Sequence, residues 1–408
     1  VEIFDGLPAF DRMACYCANA WDLQTRKLKQ VQSLTFGRSP AEWRLETDGN
    51  RRIARISGVD FGKYLDPGDG ISWHFGWTGR PQALFYDCTD LTLRNLSYPN
   101  VINMGTIVSQ CRNVTIRDAV FRSVPPQLPV GPRDGFHMAK CTGRILIEDV
   151  RMDGVRWDGF NIKSGYPEIV ETIGRDTVRA RTSPTRTPRP IPAGSTAVFH
   201  RAGAAEERRV HTGAFEGKDD KGRLVYRIRI EGPLPEETTP GDSLSLECWN
   251  AGELRMRRCV FRRIAGSAVV LQEPNTVIED CRFENVMYTP LHIGCTPIEG
   301  VAPENVRVRD CTFVRSGWAP KGEMTGMVGI DNHHRRVRNP IRDVQILDNT
   351  FSDNTRPPAD LGIYISDAVD VRIAGNRFEN VTRPLVVESG TTAQIEIEDP
   401  PPPQNSAH

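Results

Sequence analysis

A short strand with one internal grammar recurs along the chain. It appears as "DLTLRNLSY" from Asp90, "NVTIRDAVF" from Asn113, "RILIEDVRM" from Arg144, "ELRMRRCVF" from Glu253 and "NTVIEDCRF" from Asn275. The series continues with "NVRVRDCTF" from Asn305, "DVQILDNTF" from Asp343 and "DVRIAGNRF" from Asp370. Apolar and polar residues mostly alternate for four or five positions, a short polar step follows, and usually another large apolar residue comes next. That is period-2 strand chemistry interrupted by a corner. The starts lie 23, 31, 109, 22, 30, 38 and 27 residues apart. Apart from the one large gap, these are lengths of single turns in a stacked repeat, too short for a helix at every crossover. Amphipathic helical stripes are also scarce between the strands. The spacing predicts an all-β chain wound as a right-handed parallel β-helix, each coil pairing with the coils above and below it.

The cysteines fit that register. Cys88, Cys111 and Cys141 each precede a strand start by two or three residues, while Cys259, Cys281 and Cys311 share a later position that Asn349 and Asn376 then take over. Equivalent positions on successive coils lie about 4.8 Å apart, so these side chains are expected to form ladders rather than redox centres. No CxxC is present, and the Cys15/Cys17 pair has no ligands nearby at zinc-finger spacing, so no metal is expected.

The large gap reads as an insertion. Between about Pro167 and Asn250 the pattern gives way to "TSPTRTPRPIPAGS", "GKDDKGRLVYRIRIEGPLP" and "TPGDSLSLECW", short alternating strands punctuated by proline and glycine. The expected organisation is an N-terminal part of the β-helix over 1–166, an inserted β-rich domain over 167–250 and further coils over 251–395. A Pro-rich tail follows over 396–408, because "EDPPPPQNSAH" lacks the N–H groups a ladder requires.

Lys plus Arg (52) equals Asp plus Glu (52), so no whole-molecule field favours nucleic acid or an acidic membrane. No apolar run approaches the roughly 18 residues of a bilayer span, and "VEIFDGLPAF" has neither a basic n-region nor an apolar h-region. Opening on Val1, the chain leaves room for a removed leader or a longer upstream segment, and its compartment is not readable. No Gly-rich phosphate loop or dinucleotide fingerprint occurs, so no nucleotide cofactor is implied. Homo-oligomerisation is left open.

Against this regular background one phrase is said twice. "RDGFHMAKC" from Arg133 and "WDGFNIKSGY" from Trp157 share Asp-Gly-Phe, and Asp158 follows Asp134 by 24 residues, close to one coil. The two aspartates are therefore expected to stand over each other about 4.8 Å apart, as exposed carboxylates that repel and titrate as a pair. Asp-Gly is also ordinary turn chemistry, and a repeating coil needs repeating corners, so the pair also reads as two corners. His137 after the first phrase, and Asn161, Lys163 and Tyr166 after the second, add imidazole, amide, ammonium and phenol groups suited to a hydroxyl-rich ligand.

These phrases, with "INMGTIVSQCRNVTIRDAVF" before them and "CTPIEGVAPENVRVRDCTF" and "NPIRDVQILDNTF" after the insert, resemble the glycoside hydrolase family 110 α-galactosidases. The resemblance covers roughly residues 60 to 390. It implies a β-helix enzyme that removes terminal α-1,3-linked galactose with inversion, acting on an oligosaccharide or polysaccharide. Asp134 and Asp158 match carboxylates assigned to the hydrolytic water, His137 and Asn161 match polar motif positions, and Glu299 matches the acidic residue of a later turn. Two departures stand out. Trp157 replaces the first Asp of the family's Asp-Asp-Gly, its expected general acid, and the stretch of β-helix before "LPAF" is shorter than the family's.

Three readings stay open from sequence. The first is a glycosidase whose acid is Glu299, or failing that Asp153 or Glu273, with Trp157 as a sugar-stacking platform or a packed corner aromatic. The second is a lyase on a uronate glycan, with Lys163, His137 or Tyr166 as base and Arg133 neutralising the carboxylate. The third is a groove that binds glycan without cleaving it. "DNHHRRVR" at 331–338 reads as a charged loop between coils, and Trp318 in "SGWAPKGEM" as an aromatic overhanging the groove.

Overall fold

The structure is a computed structural model that describes residues 2–3, 17–33, 43–74, 80–101, 103–131, 133–182, 187–201, 204–295, 300–319, 326–332, 341–354, 361–388 and 393–398. Three parallel sheets build the main body. The first has nine described strands, from Ala83–Tyr86 to Arg383–Val387, and the second nine, from Thr89–Arg94 to Ala393–Ile397. The third has eight, from Ser97–Tyr98 to Arg377–Val381. The chain visits the three in turn and returns one rung further along, which is a parallel β-helix of three faces.

The recurring polar step is the corner between the second and third sheets. Asp118, Asp149, Asp280, Asp310 and Asp348 all sit there with φ between 53° and 55°, a left-handed conformation that a short polar side chain tolerates. The residue after the corner turns inward. Cys259, Cys281 and Cys311 occupy it as buried thiols whose Sγ atoms lie against backbone carbonyls, Cys281 at 3.3 Å from Glu279 O. Asn349 and Asn376 continue the ladder with stronger donors, their Nδ2 groups reaching Val308 O at 3.1 Å and Ile346 O at 2.8 Å.

Inside, aromatic rings stack along the axis. On the third sheet the register aligns Phe121, Met152, Phe261, Phe283, Phe313, Phe351 and Phe378. Successive rings from Phe261 to Phe378 are nearly parallel, with centroids 4.7–5.2 Å apart. Met152 interrupts that row, directly beneath the corner that carries the repeated phrase.

The insert is a closed six-stranded barrel formed by Pro167–Ile173, Thr177–Thr182, Thr196–Arg201, Ala204–Lys218, Leu224–Ile230 and Ser243–Leu246. It leaves one coil after Lys163 and returns at Ala251, where the second sheet resumes against Gly143.

Residues before Ala83, expected to belong to the β-helix, instead form antiparallel strands. Cys17–Asp22 pairs with Lys27–Leu28 and Gly70–His74, and Trp43–Asp48 pairs with Arg51–Ile56. The first of these sheets packs on the corners that lead into the first sheet: Trp21 and Leu28 share a core cluster with Leu128, Met287, Tyr288 and Trp318. Trp318 is therefore no overhanging aromatic. It is buried, and its Nε1–H donates to Val31 O at 3.1 Å. His333, His334, Cys15 and the segment 399–408 lie outside the described residues.

Candidate active site

The repeated phrase lies where the chain turns into the first sheet. Strands Phe136–Ala139 and Phe160–Lys163 are neighbours, with Phe136 opposite Phe160 and His137 opposite Asn161. Each part of Asp-Gly-Phe has its own cause. The phenylalanines face the core and stack at 5.1 Å. The glycines allow close rungs: a Cβ on Gly135 would fall 2.8 Å from Gly159 O, and one on Gly159 would fall 2.5 Å from Ala268 O.

The aspartates have no such structural necessity. The backbone ladder at this corner runs Gly105 N to Asp134 O, Gly135 N to Asp158 O and Gly159 N to Ser267 O, so Met104, Asp134, Asp158 and Ser267 are equivalent. The same turn is made with methionine on one side and serine on the other. A carboxylate is therefore not the price of the corner, and the reading of the pair as paired corners accounts for Gly and Phe but not for Asp.

Both carboxylates are buried, Asp134 to 1% and Asp158 to 3% exposure, which corrects the expectation of two exposed groups. The physical reason is company. Arg133 Nε lies 4.0 Å from Asp134 Oδ1, and Arg156 is buried over the ring of the adjacent Trp157, so this stretch carries both signs. Asp158 Oδ1 accepts from Ser267 N–H at 3.0 Å. Asp134 Oδ2 accepts from His137 Nδ1–H at 2.9 Å, leaving the imidazole Nε2 as the ring's second polar atom. His137 is the part-exposed member of the group, and its neighbour on the next rung is Asn161. Asp134 Oδ1, Asn161 Oδ1 and Ser267 Oγ are buried without a hydrogen-bond partner among the described residues. Buried polar atoms in that state are uncommon and costly.

Trp157 stands one rung from Arg133 and packs edge-on against Tyr288 at 6.1 Å. The guanidiniums of Arg133 and Arg156 lie over its ring at 5.6 and 5.5 Å from the centroid. These cations compete with a sugar for the ring faces.

The remaining described candidates separate from this corner. Lys163 follows Asn161 on the same face, two residues further along the strand. Tyr166 lies beyond the strand end, in a cleft against the barrel. Glu299 lies outside the described residues. Its neighbours Gly300 and Val301 donate to Gln272 Oε1 at 2.8 Å and Ser164 Oγ at 3.1 Å, at the strand ends away from Asp158. Asp153 is held by Arg263 at 2.5 Å. Glu273 is fully buried, accepting from Ala251 N–H at 2.6 Å, and burial pushes its carboxyl from 4.5 up to about 8.

That shift carries a stability prediction. The folded protein holds the Glu273 proton at pH values where the unfolded chain has released it, so this group's contribution to stability is full below about 4.5 and is lost as pH rises toward about 8. Glu273→Gln keeps an acceptor for Ala251 and removes the titration. Its urea midpoint is expected to fall less than the wild type's between pH 5 and pH 8.5; parallel profiles would contradict the assignment.

The right-handed beta helix region family matches residues 245–400. No curated protein sequence matches the chain. Among solved structures, the chain is similar to the catalytic domain of a GH87 alpha-1,3-glucanase in complex with nigerose, at 7% identity and TM-score 0.40 over 76% of this chain and 49% of that one. It is also similar to the A-module of the Azotobacter vinelandii mannuronan C-5 epimerase AlgE4, at 11% identity and TM-score 0.32, covering 75% of this chain and 58% of that one. A third is the Yersinia enterocolitica family 28 exopolygalacturonase, at 11% identity and TM-score 0.33, covering 77% and 45%. The chain thus spans about half the length of the structures it resembles. The family match over residues 245–400 and the three-sheet register together define the chain as a right-handed parallel β-helix carrying an inserted β-barrel.

Proposed function

We propose that the protein is a glycoside hydrolase, exo-acting on a terminal α-linked sugar such as α-galactose, with its reaction centre at the Asp134–Asp158 corner. The observation that carries the reading is the ladder Met104, Asp134, Asp158, Ser267: carboxylates occupy two rungs of a turn that neighbouring coils build without them. Asp134 Oδ1 and Asn161 Oδ1, without a hydrogen-bond donor among the described residues, support it, since the hydroxyls of a sugar and the attacking water are the donors such acceptors lack.

In an inverting displacement, Asp158 takes a proton from water as its oxygen bonds to the anomeric carbon. The glycosidic C–O bond breaks on the opposite side, and the leaving oxygen takes a proton from an acid. The acid that the family resemblance implies is replaced by Trp157, which leaves Glu299 as the candidate from sequence. The geometry favours His137, whose imidazole is oriented by Asp134 through Nδ1 and can deliver the Nε2 proton outward.

Leaving groups separate these donors. A 2,4-dinitrophenyl glycoside departs without protonation, so His137→Ala is expected to lose about 10²–10⁴-fold on an alkyl galactoside but little on the dinitrophenyl substrate. Glu299→Gln is expected to retain activity on both. The reverse pattern would return the acid role to Glu299. Equal losses on both substrates would remove His137 from proton transfer.

A further inference from the structure

At the far end of the same two strands the chain builds a second cleft, its open surface mostly apolar with cationic side chains behind it. Six residues of extended chain, about 20 Å, separate Asp134 from Lys140. Lys140 forms one wall of a small cleft with Gln110 and Tyr166, and the barrel supplies the other with Arg189, Tyr226 and Trp249. The space is closer to the size of one charged group than of a whole ring.

The barrel wall is fixed in place. Thr187 N–H donates to Tyr86 OH at 3.0 Å, and Gln110 Nε2 donates to Thr187 O at 3.0 Å, tying the segment to the coils. Arg189 N–H donates to Tyr226 OH at 2.8 Å, and Trp249 Nε1 donates to Pro190 O at 3.2 Å. Arg189 is thereby held on both flanks, and its Nη1 is buried with no hydrogen-bond partner among the described residues. On the opposite wall, Gly165 makes room for the stem of Lys140: a Cβ there would fall 3.0 Å from Lys140 Cγ.

Charge in the cleft is one-sided. Burial, together with repulsion from Arg189 and Lys163, pushes the Lys140 ammonium down to about 8. The acidic groups nearest Arg189 are each shifted toward their neutral forms. Burial raises Glu273 to about 8, the neighbouring Cys111 and burial hold the Cys141 thiol well up, and burial raises Cys248. A guanidinium on an anchored backbone, its Nη1 buried without a hydrogen-bond partner among the described residues and a lysine on the opposite wall of an aromatic-walled cleft, suits a planar or tetrahedral oxyanion.

We infer that the cleft between the coils and the barrel, built on Arg189 and Lys140, is a subsite for the anionic group of an acidic sugar, a carboxylate or a sulfate ester. The assignment rests on the reading that the protein handles glycans, and it adds that its substrate is charged some distance from the bond that is cut.

Isothermal titration of the full chain with D-galacturonate, D-galactose 6-sulfate, D-galactose and inorganic sulfate tests this directly. Either acidic sugar is expected to bind at least about tenfold more tightly than galactose, and which one does so identifies the anion. Arg189→Gln should abolish that preference. Lys140→Met, on the opposite wall, should weaken it independently should Arg189→Gln disturb barrel docking, which thermal unfolding reports. Equal affinity for acidic and neutral sugars, no binding of either, or unchanged binding in both folded variants overturns the subsite. Inorganic sulfate bound as tightly as either acidic sugar overturns its assignment to glycans. Turnover plays no part in the measurement, so failure here leaves the hydrolase reading standing, and failure of hydrolysis leaves this site standing.

Discussion

Asp158→Asn is expected to lower turnover about 10²–10⁴-fold while leaving the fold and its melting temperature nearly intact. The asparagine Oδ1 can still accept from Ser267 N–H, which Asp158 Oδ1 meets at 3.0 Å. It cannot accept a proton from water. Space is not at issue, because the change is isosteric where a Cβ on Gly266 would already come within 2.7 Å of the Asp158 carboxylate. Asp134→Asn should act differently: it keeps an acceptor for His137 but removes the charge that steadies an imidazolium, so its loss should be larger on substrates with poor leaving groups. Initial rates on paired alkyl and aryl glycosides check both. Activity within a few-fold of wild type in Asp158→Asn would remove that residue from the chemistry.

The second large effect is on stability. Phe313 sits between Phe283 and Phe351 with centroids 4.7 and 4.9 Å away, and it is fully buried. Phe313→Ala is expected to cost about 3–5 kcal/mol, combining lost transfer free energy with a cavity that flanking rungs cannot close. The stacked rings are pinned by backbone register on both sides, with Phe313 opposite Phe283 and Phe351, so collapse would have to break the ladder. Phe313→Leu should cost clearly less. Urea unfolding followed by tryptophan fluorescence measures both, and a loss below about 1 kcal/mol for the alanine variant would mean that the stack relaxes freely.

The coils were legible because their signal is local. A strand of alternating residues, a left-handed Asp corner and an inward Cys or Asn recur in the chain at the spacing that stacks them. Asp134 and Asp158 were expected on adjacent rungs on the same grounds, and the register of His137 with Asn161 puts them there. Their burial was not legible. It depends on Arg133 lying beside Asp134, on Arg156 folding in over Trp157, and on an N-terminal sheet that packs nearby, a contact between residues hundreds of positions apart, such as Leu28 N–H to Asn285 Oδ1. The N-terminal strands were mistaken for coils because alternation alone does not tell antiparallel from parallel pairing. The Arg189 cleft had no sequence signal, since a proline-rich segment reads as loop until the barrel brings it back onto Tyr86 and Gln110.

On the proposed function, the Asp134–Asp158 corner hydrolyses a glycosidic bond. Proton NMR of the first product formed from an α-galactoside and, separately, from a uronate polysaccharide tests it most directly, because it reads bond type and stereochemistry together. Inverting hydrolysis is expected to give free sugar first as the β-anomer, with no vinyl signal from an unsaturated uronate. A vinyl signal would replace the hydrolase with a lyase. Release of no sugar from either class, with glycan binding retained, would contradict catalysis at this corner altogether.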